Sequence, residues 1–169
     1  MVKWIASMSS AALVAGSLAI APRPAHAVTV IGDVGACDRG ESSILIRVHG
    51  FKSRTGELRL SLYDGNPSNW LVGGRKIHKL HMDIPRSGPV DICVKTPGPG
   101  TYAFGIQHDV DGDGEIGRRD GGAYSNNAKF TIFDREPAFR KVKFEVGSGT
   151  KRMGIRLLYL KGLSIVPWN

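Results

Sequence analysis

The residues with the most pointed chemistry form one short run, His108-Asp109-Val110-Asp111-Gly112-Asp113-Gly114-Glu115-Ile116-Gly117-Arg118-Arg119-Asp120. Counted from Asp109, carboxylates stand at positions 1, 3, 5 and 12, a glycine at 6 and an aliphatic residue at 8. That is the grammar of a calcium loop. In a tight loop alternate side chains turn to one side, so Asp109, Asp111 and Asp113 each present a hard oxygen to a single ion while Gly114 takes the bend. Glu115 then offers its backbone carbonyl at position 7, and Asp120 closes the shell from position 12. Carboxylates drawn this close repel one another unless a cation, here Ca2+, sits among them. The competing expectation is a solvated acidic turn whose Asp and Gly residues serve only the backbone. Position 12 is Asp rather than the longer bidentate Glu, residues 102–107 read as strand, and Gly121-Gly122 follows the loop. A helix-loop-helix sensor is thereby excluded; a metal loop between strands is not.

Catalytic chemistry finds less support. His108 and Asp109 are adjacent on a strand and so face opposite ways, as do His78 and His81. Gly147-Ser148-Gly149 reads as a plain turn rather than a nucleophile elbow. The expectation is a protein that is not an enzyme.

The elements that must position the loop alternate with a period of two. Ile44, Ile46 and Val48 share a face, and Leu58, Leu60 and Leu62 repeat the pattern; Ser53-Arg54-Thr55-Gly56 between them predicts a hairpin. Further strands are predicted over Leu80–Ile84, Val90–Val94, Tyr102–Gln107, Lys129–Phe133, Val142–Val146 and Met153–Tyr159. Gly147-Ser148-Gly149 joins the last two as a second hairpin. Asp64–Arg75 is a long irregular connection with room for one helical turn. About eight short strands with almost no helical periodicity predict an all-β, antiparallel two-layer β-sandwich.

The chain has 169 residues, a length suited to one such domain. Residues 1–27 read as a signal peptide: Lys3, an uncharged apolar run over Ile5–Ala21, then Ala25-His26-Ala27 as the small-x-small cleavage site. Val34-Gly35-Ala36-Cys37 resembles a lipobox, but Pro22, Arg23, Pro24 and Asp33 separate it from the apolar run. The expected organisation is an N-terminal segment over 28–42, the β domain over 43–160 and a C-terminal tail over 161–169. No transmembrane segment is expected after processing, which points to the periplasm or the exterior.

The only cysteines, Cys37 and Cys93, both lie in the exported portion. An oxidising compartment favours a disulfide between them, on the outer side of the sheet; two unpaired thiols are the alternative, since spacing alone does not bring the Cα atoms together. Processing removes Lys3 and Arg23 from 23 basic residues and none of 15 acids, leaving 21 against 15, a net +6. Lys141, Lys143, Arg152 and Arg156 are expected to face outward on the terminal strands. They form either a weak binding patch for an anionic surface or a soluble face that discourages edge pairing. Export and the lack of a reading module argue against nucleic acid.

From about Ser43 to Leu160 the chain resembles the DUF2141 domain, a family of exported bacterial proteins of unknown function. The residues that carry the resemblance are Gly56 in the first turn, Pro99-Gly100-Thr101-Tyr102-Ala103, His108-Asp109 at the loop, Ser125-Asn126-Asn127, and Leu157-Leu158-Tyr159. The family typically reads His-Asp-x-Asn-x-Asn-Gly through the loop; Asp111 and Asp113 take the Asn positions here and make this copy more acidic. The family segment Gly-Tyr-Gly-Phe-Ser-Asn-Asn is shortened to Gly122-Ala123-Tyr124-Ser125-Asn126-Asn127. The resemblance implies a transthyretin-like or immunoglobulin-like sandwich and no known reaction. The functional expectation is a periplasmic or secreted, non-catalytic binding or structural module with a calcium loop, its partner an anionic envelope glycan or another envelope protein. The alternative is an accessory or catalytic component acting on anionic envelope polymers.

Overall fold

The computed structural model describes residues 29–168; residues 1–27, read above as a signal peptide, lie outside them. Two β-sheets face each other across one apolar core. The smaller contains β1 (Thr29–Gly32), β5 (Val90–Lys95), β2 (Ser43–His49) and β9 (Thr150–Arg156), in that order. The larger runs β11 (Ser164–Pro167), β10 (Leu158–Lys161), β7 (Gly121–Tyr124), β6 (Gly100–Asp109), β3 (Glu57–Asp64), β4 (His78–Asp83), with β8 (Phe144–Val146) paired to the start of β6. Two short helices, α1 (Val34–Asp38) and α2 (Phe139–Val142), sit outside the sheets. No helix among the described residues is long and apolar enough to cross a membrane.

The inward rows are those the alternation predicts. Ile44, Ile46, Leu58, Leu62, Ile92, Phe104, Ile155 and Leu157 are all fully buried, each side chain contributing on the order of 1.5–3 kcal/mol by leaving water. How the rows are connected differs from the prediction. Ser53–Gly56 does not make a hairpin: β2 belongs to the small sheet and β3 to the large one, so the turn carries the chain across the core. Gly147–Gly149 likewise links β8 and β9 in different sheets. Two pairings, β1 with β5 and β2 with β9, are parallel. Each joins segments too distant for a turn to impose antiparallel order.

The expected strand over Lys129–Phe133 is absent; those residues run unpaired. Its place in the sheet is taken by β7, which contains Gly121 and Gly122. The Tyr159 ring occupies the space a side chain at Gly121 would need, so a poor strand former becomes the residue that fits. The expected single strand Met153–Tyr159 is β9 followed by β10, with Leu157 as the corner where the chain changes sheets and donates its N–H to His49 O. Val142 ends a helix rather than opening a strand. At the termini, β1 and β11 add edge strands that were not foreseen.

Cys37 and Cys93 are disulfide-bonded, with Cα atoms 6.2 Å apart. Cys93 points away from the core row of β5, yet it is fully buried, with α1 packed against β5 and β1 paired alongside it. Asp33 N–H donates to Cys93 O and tightens the same junction.

The outer face of the large sheet is also covered. Tyr63 on β3 and Tyr124 on β7 pack edge-on against Trp70, with ring centroids 5.1 and 5.8 Å away. The single 3₁₀ turn at Pro67–Asn69, capped by Asn66, delivers Trp70, whose indole N–H donates to Pro137 O at 2.8 Å. Burial pushes the Tyr124 hydroxyl up to about 12, with the negative charge of Glu136 adding to it. Burial likewise carries Tyr159 up to about 12 and raises Tyr63.

Replacing both cysteines by serine is expected to cost about 2–4 kcal/mol, read as a lower urea midpoint; an unchanged midpoint refutes the bracing role. A tyrosine whose pKa is raised on folding stabilises the fold fully below its unfolded value near 10 and loses that contribution as pH rises toward the folded value. Thermal stability is therefore expected to fall between about pH 10 and 12, in step with tyrosinate absorbance. Ionisation of all four tyrosines near pH 10 while the fold persists would contradict the burial of Tyr124 and Tyr159.

Candidate functional site

The acidic loop connects β6 to β7 at one end of the large sheet. Its base is anchored by His108, which is fully buried. The imidazole Nε2–H donates to Thr55 O at 2.9 Å, which leaves Nδ1 to accept from the Tyr159 hydroxyl at 2.6 Å. Tyr159 in turn accepts the Lys52 N–H at 3.1 Å. Burial pushes the imidazole below its ordinary range, against the Thr55 carbonyl and the charges of Asp120 and Asp109, which pull it up. Gly56 is required next to it: a side chain there would overlap the Asp109 carbonyl.

Asp109 faces the other side of β6 and is also fully buried. Its carboxylate accepts N–H groups from Gly112 at 2.8 Å and Gly114 at 2.9 Å, folding the loop back on itself. Asp120 does the same from the far end, accepting from Val110 at 3.0 Å and Gly117 at 2.8 Å. Asp113 accepts from Glu115 N–H at 2.8 Å, and both Asp111 and Asp113 are exposed. One oxygen from each of Asp109, Asp111, Asp113 and Asp120 lies within 4.8 Å of the others. Glu115 stands outside this group, and its carbonyl accepts from the Gln107 amide instead.

The donor set suits a hard cation: all four residues offer carboxylate oxygen, and each oxygen keeps lone-pair capacity beyond the N–H bonds it accepts. Two further residues, Arg59 and Gln107, belong to the site and were not singled out in the sequence. They are directly opposed across β3 and β6. Arg59 Nε lies 3.2 Å from Asp109 Oδ2, it also pairs with Glu57, and its Nη1–H donates to Gly114 O at 2.9 Å. The guanidinium thus supplies positive charge beside the first carboxylate of the loop. Only the register of β3 against β6 reveals it.

The four basic residues expected on adjacent strands do not form such a row. Lys141 is on α2 and Lys143 directly follows it, whereas Arg152 and Arg156 lie on β9 in the other sheet. Between them sits a brace. The turn Ser125–Asn127 holds Asn126 and Asn127 at positive φ, where Asn is among the residues best tolerated. Asn126 Nδ2 donates to Lys143 O at 2.9 Å. Asn127 donates to Gly154 O at 2.9 Å and accepts from Arg156 N–H at 2.8 Å.

The fold and the loop define a two-sheet β domain with an acidic crossover at one sheet end. The sequence profile of the DUF2141 family, described as uncharacterized protein conserved in bacteria, matches residues 46–153, and the chain belongs to that family. No curated protein and no solved structure matches the chain.

Replacing His108 by Phe keeps the ring but strands the Tyr159 hydroxyl and Thr55 carbonyl. The expected cost is about 1–3 kcal/mol in chemical unfolding. A variant as stable as the parent would show that the buried imidazole does not fasten the loop base.

Proposed function

We propose that this protein is an exported, non-catalytic β-sandwich module whose 109–120 loop is ordered by a calcium ion. The observation that carries the reading is the convergence of Asp109, Asp111, Asp113 and Asp120, with one oxygen from each within 4.8 Å of the rest. Calcium takes six to eight oxygens at about 2.3–2.6 Å, so water or backbone carbonyls complete the shell. The signal-like residues 1–27 support export, and the disulfide fits an oxidising compartment. The non-catalytic reading is supported by His108, whose two ring nitrogens are both engaged, one with Thr55 O and one with the Tyr159 hydroxyl. Calcium here acts as a staple: it relieves carboxylate repulsion and stiffens a loop that links two strands of the large sheet.

Arg59 competes with the ion for Asp109, so affinity is expected in the weak range of extracellular modules, about 10⁻⁴–10⁻³ M. Calorimetric titration of the metal-free protein with calcium chloride is expected to give one site and a calcium-dependent rise in melting temperature. Asp111→Asn removes one of the mutually repelling carboxylates, so it is expected to weaken binding about tenfold while leaving the metal-free melting temperature the same or slightly higher. Arg59→Gln is expected to tighten it a few-fold. No heat and no thermal shift at about 10 mM calcium would remove the proposal.

A further inference from the structure

A groove of about 440 Å³ lies on the outer face of the large sheet, away from the acidic loop. Its volume is within the usual range for small-molecule sites, about 300–1,000 Å³. The floor comes from the outward residues of β7, β10 and β11, among them Tyr124, Leu158 and Ile165. Leu158 neighbours the buried Tyr159 on β10 and so faces the opposite way. The far wall is the unpaired segment 127–131, where Phe130 stands edge-on to Tyr124 with ring centroids 5.2 Å apart. Two charged side chains line the groove, Lys129 and Arg156, both cationic and exposed; among the described residues no carboxylate lines it.

A solvated sheet face ordinarily presents polar side chains. This one presents carbon, and among the described residues the charged side chains along it are Lys129 and Arg156. We propose that the groove binds an anionic amphiphile, a single-chain carboxylate of the fatty-acid class, with its chain along Leu158, Ile165 and Phe130 and its head group at Lys129. The charge complementarity selects the acid, and the apolar floor selects the chain. A glycan fits less well, because the Asn127 amide in the groove is already bonded to Gly154 O and Arg156 N–H. The site is independent of the calcium loop.

The test titrates dodecanoate, dodecanol and dodecyltrimethylammonium into the purified protein, each below its aggregation threshold, with amide chemical shifts as readout. Dodecanoate is expected to bind one-to-one and to shift residues 123–131 and 158–167. Dodecanol should bind about tenfold more weakly and the ammonium more weakly still. Lys129→Glu should weaken dodecanoate binding about tenfold with melting temperature and calcium response unchanged. The proposal is overturned by non-saturating dodecanoate, by equal binding of dodecanol, or by indifference to Lys129→Glu. Retention on phosphatidylglycerol vesicles without binding of monomeric dodecanoate overturns it too, and would make the face a membrane contact.

Discussion

One buried imidazole sets the geometry of the functional end of this sandwich. Burial keeps the His108 imidazole neutral, and with Nε2 protonated it donates to Thr55 O while Nδ1 accepts from the Tyr159 hydroxyl. Those partners come from the crossover between the sheets and from β10, so a single ring fastens three separate parts of the chain. Adjacent strand residues face opposite ways, and seating His108 in the core therefore places Asp109 on the outer face beside Glu57 and Arg59. Gly56 is the steric condition for this arrangement, because the crossover runs directly against the Asp109 carbonyl.

The apolar rows were legible in the sequence because burial acts on alternate residues, and Ile44, Leu60, Ile92 and Phe104 report it plainly. Sheet membership was not. A Gly-containing turn such as Ser53–Gly56 looks the same whether it reverses the chain within a sheet or carries it to the facing one. The corner at Leu157 is equally silent, since the inward period continues unbroken from Ile155 to Tyr159 while the chain changes sheets. Gly121 and Gly122 hid β7, because what qualifies them for the sheet is the ring lying over each of them rather than any strand propensity. At the loop, the carboxylates could be read from local spacing. Arg59 could not, since its relation to Asp109 arises from a strand pairing roughly fifty residues away in sequence.

The segment after β7 shows how polar side chains direct a chain that pairs with neither sheet. Asn126 and Asn127 turn it out of the large sheet, and Asn127 then clamps it to β9 of the small one. Ser125, buried beneath them, accepts the Phe104 N–H at 3.1 Å and donates to Val142 O at 2.6 Å. The Ser-Asn-Asn run is thus a cross-sheet brace with little capacity left for a ligand. Its consequence is that Phe130 lies across the outer face, where it joins Tyr124 and Trp70 in a second apolar layer.

The order β1-β5-β2-β9 joins strands drawn from the beginning, the middle and the end of the domain. The central strand β2 has no neighbour close to it in sequence: one partner is β5 and the other is β9, more than a hundred residues downstream. Loop closure must precede every one of those ladders, which places this half of the domain among high contact-order, slow-folding topologies. An emerging chain can pair β2 with β5 but leaves the other edge of β2 open until its last third is available. Oxidation of Cys37 with Cys93 would then lock together a sheet that only the complete chain can assemble.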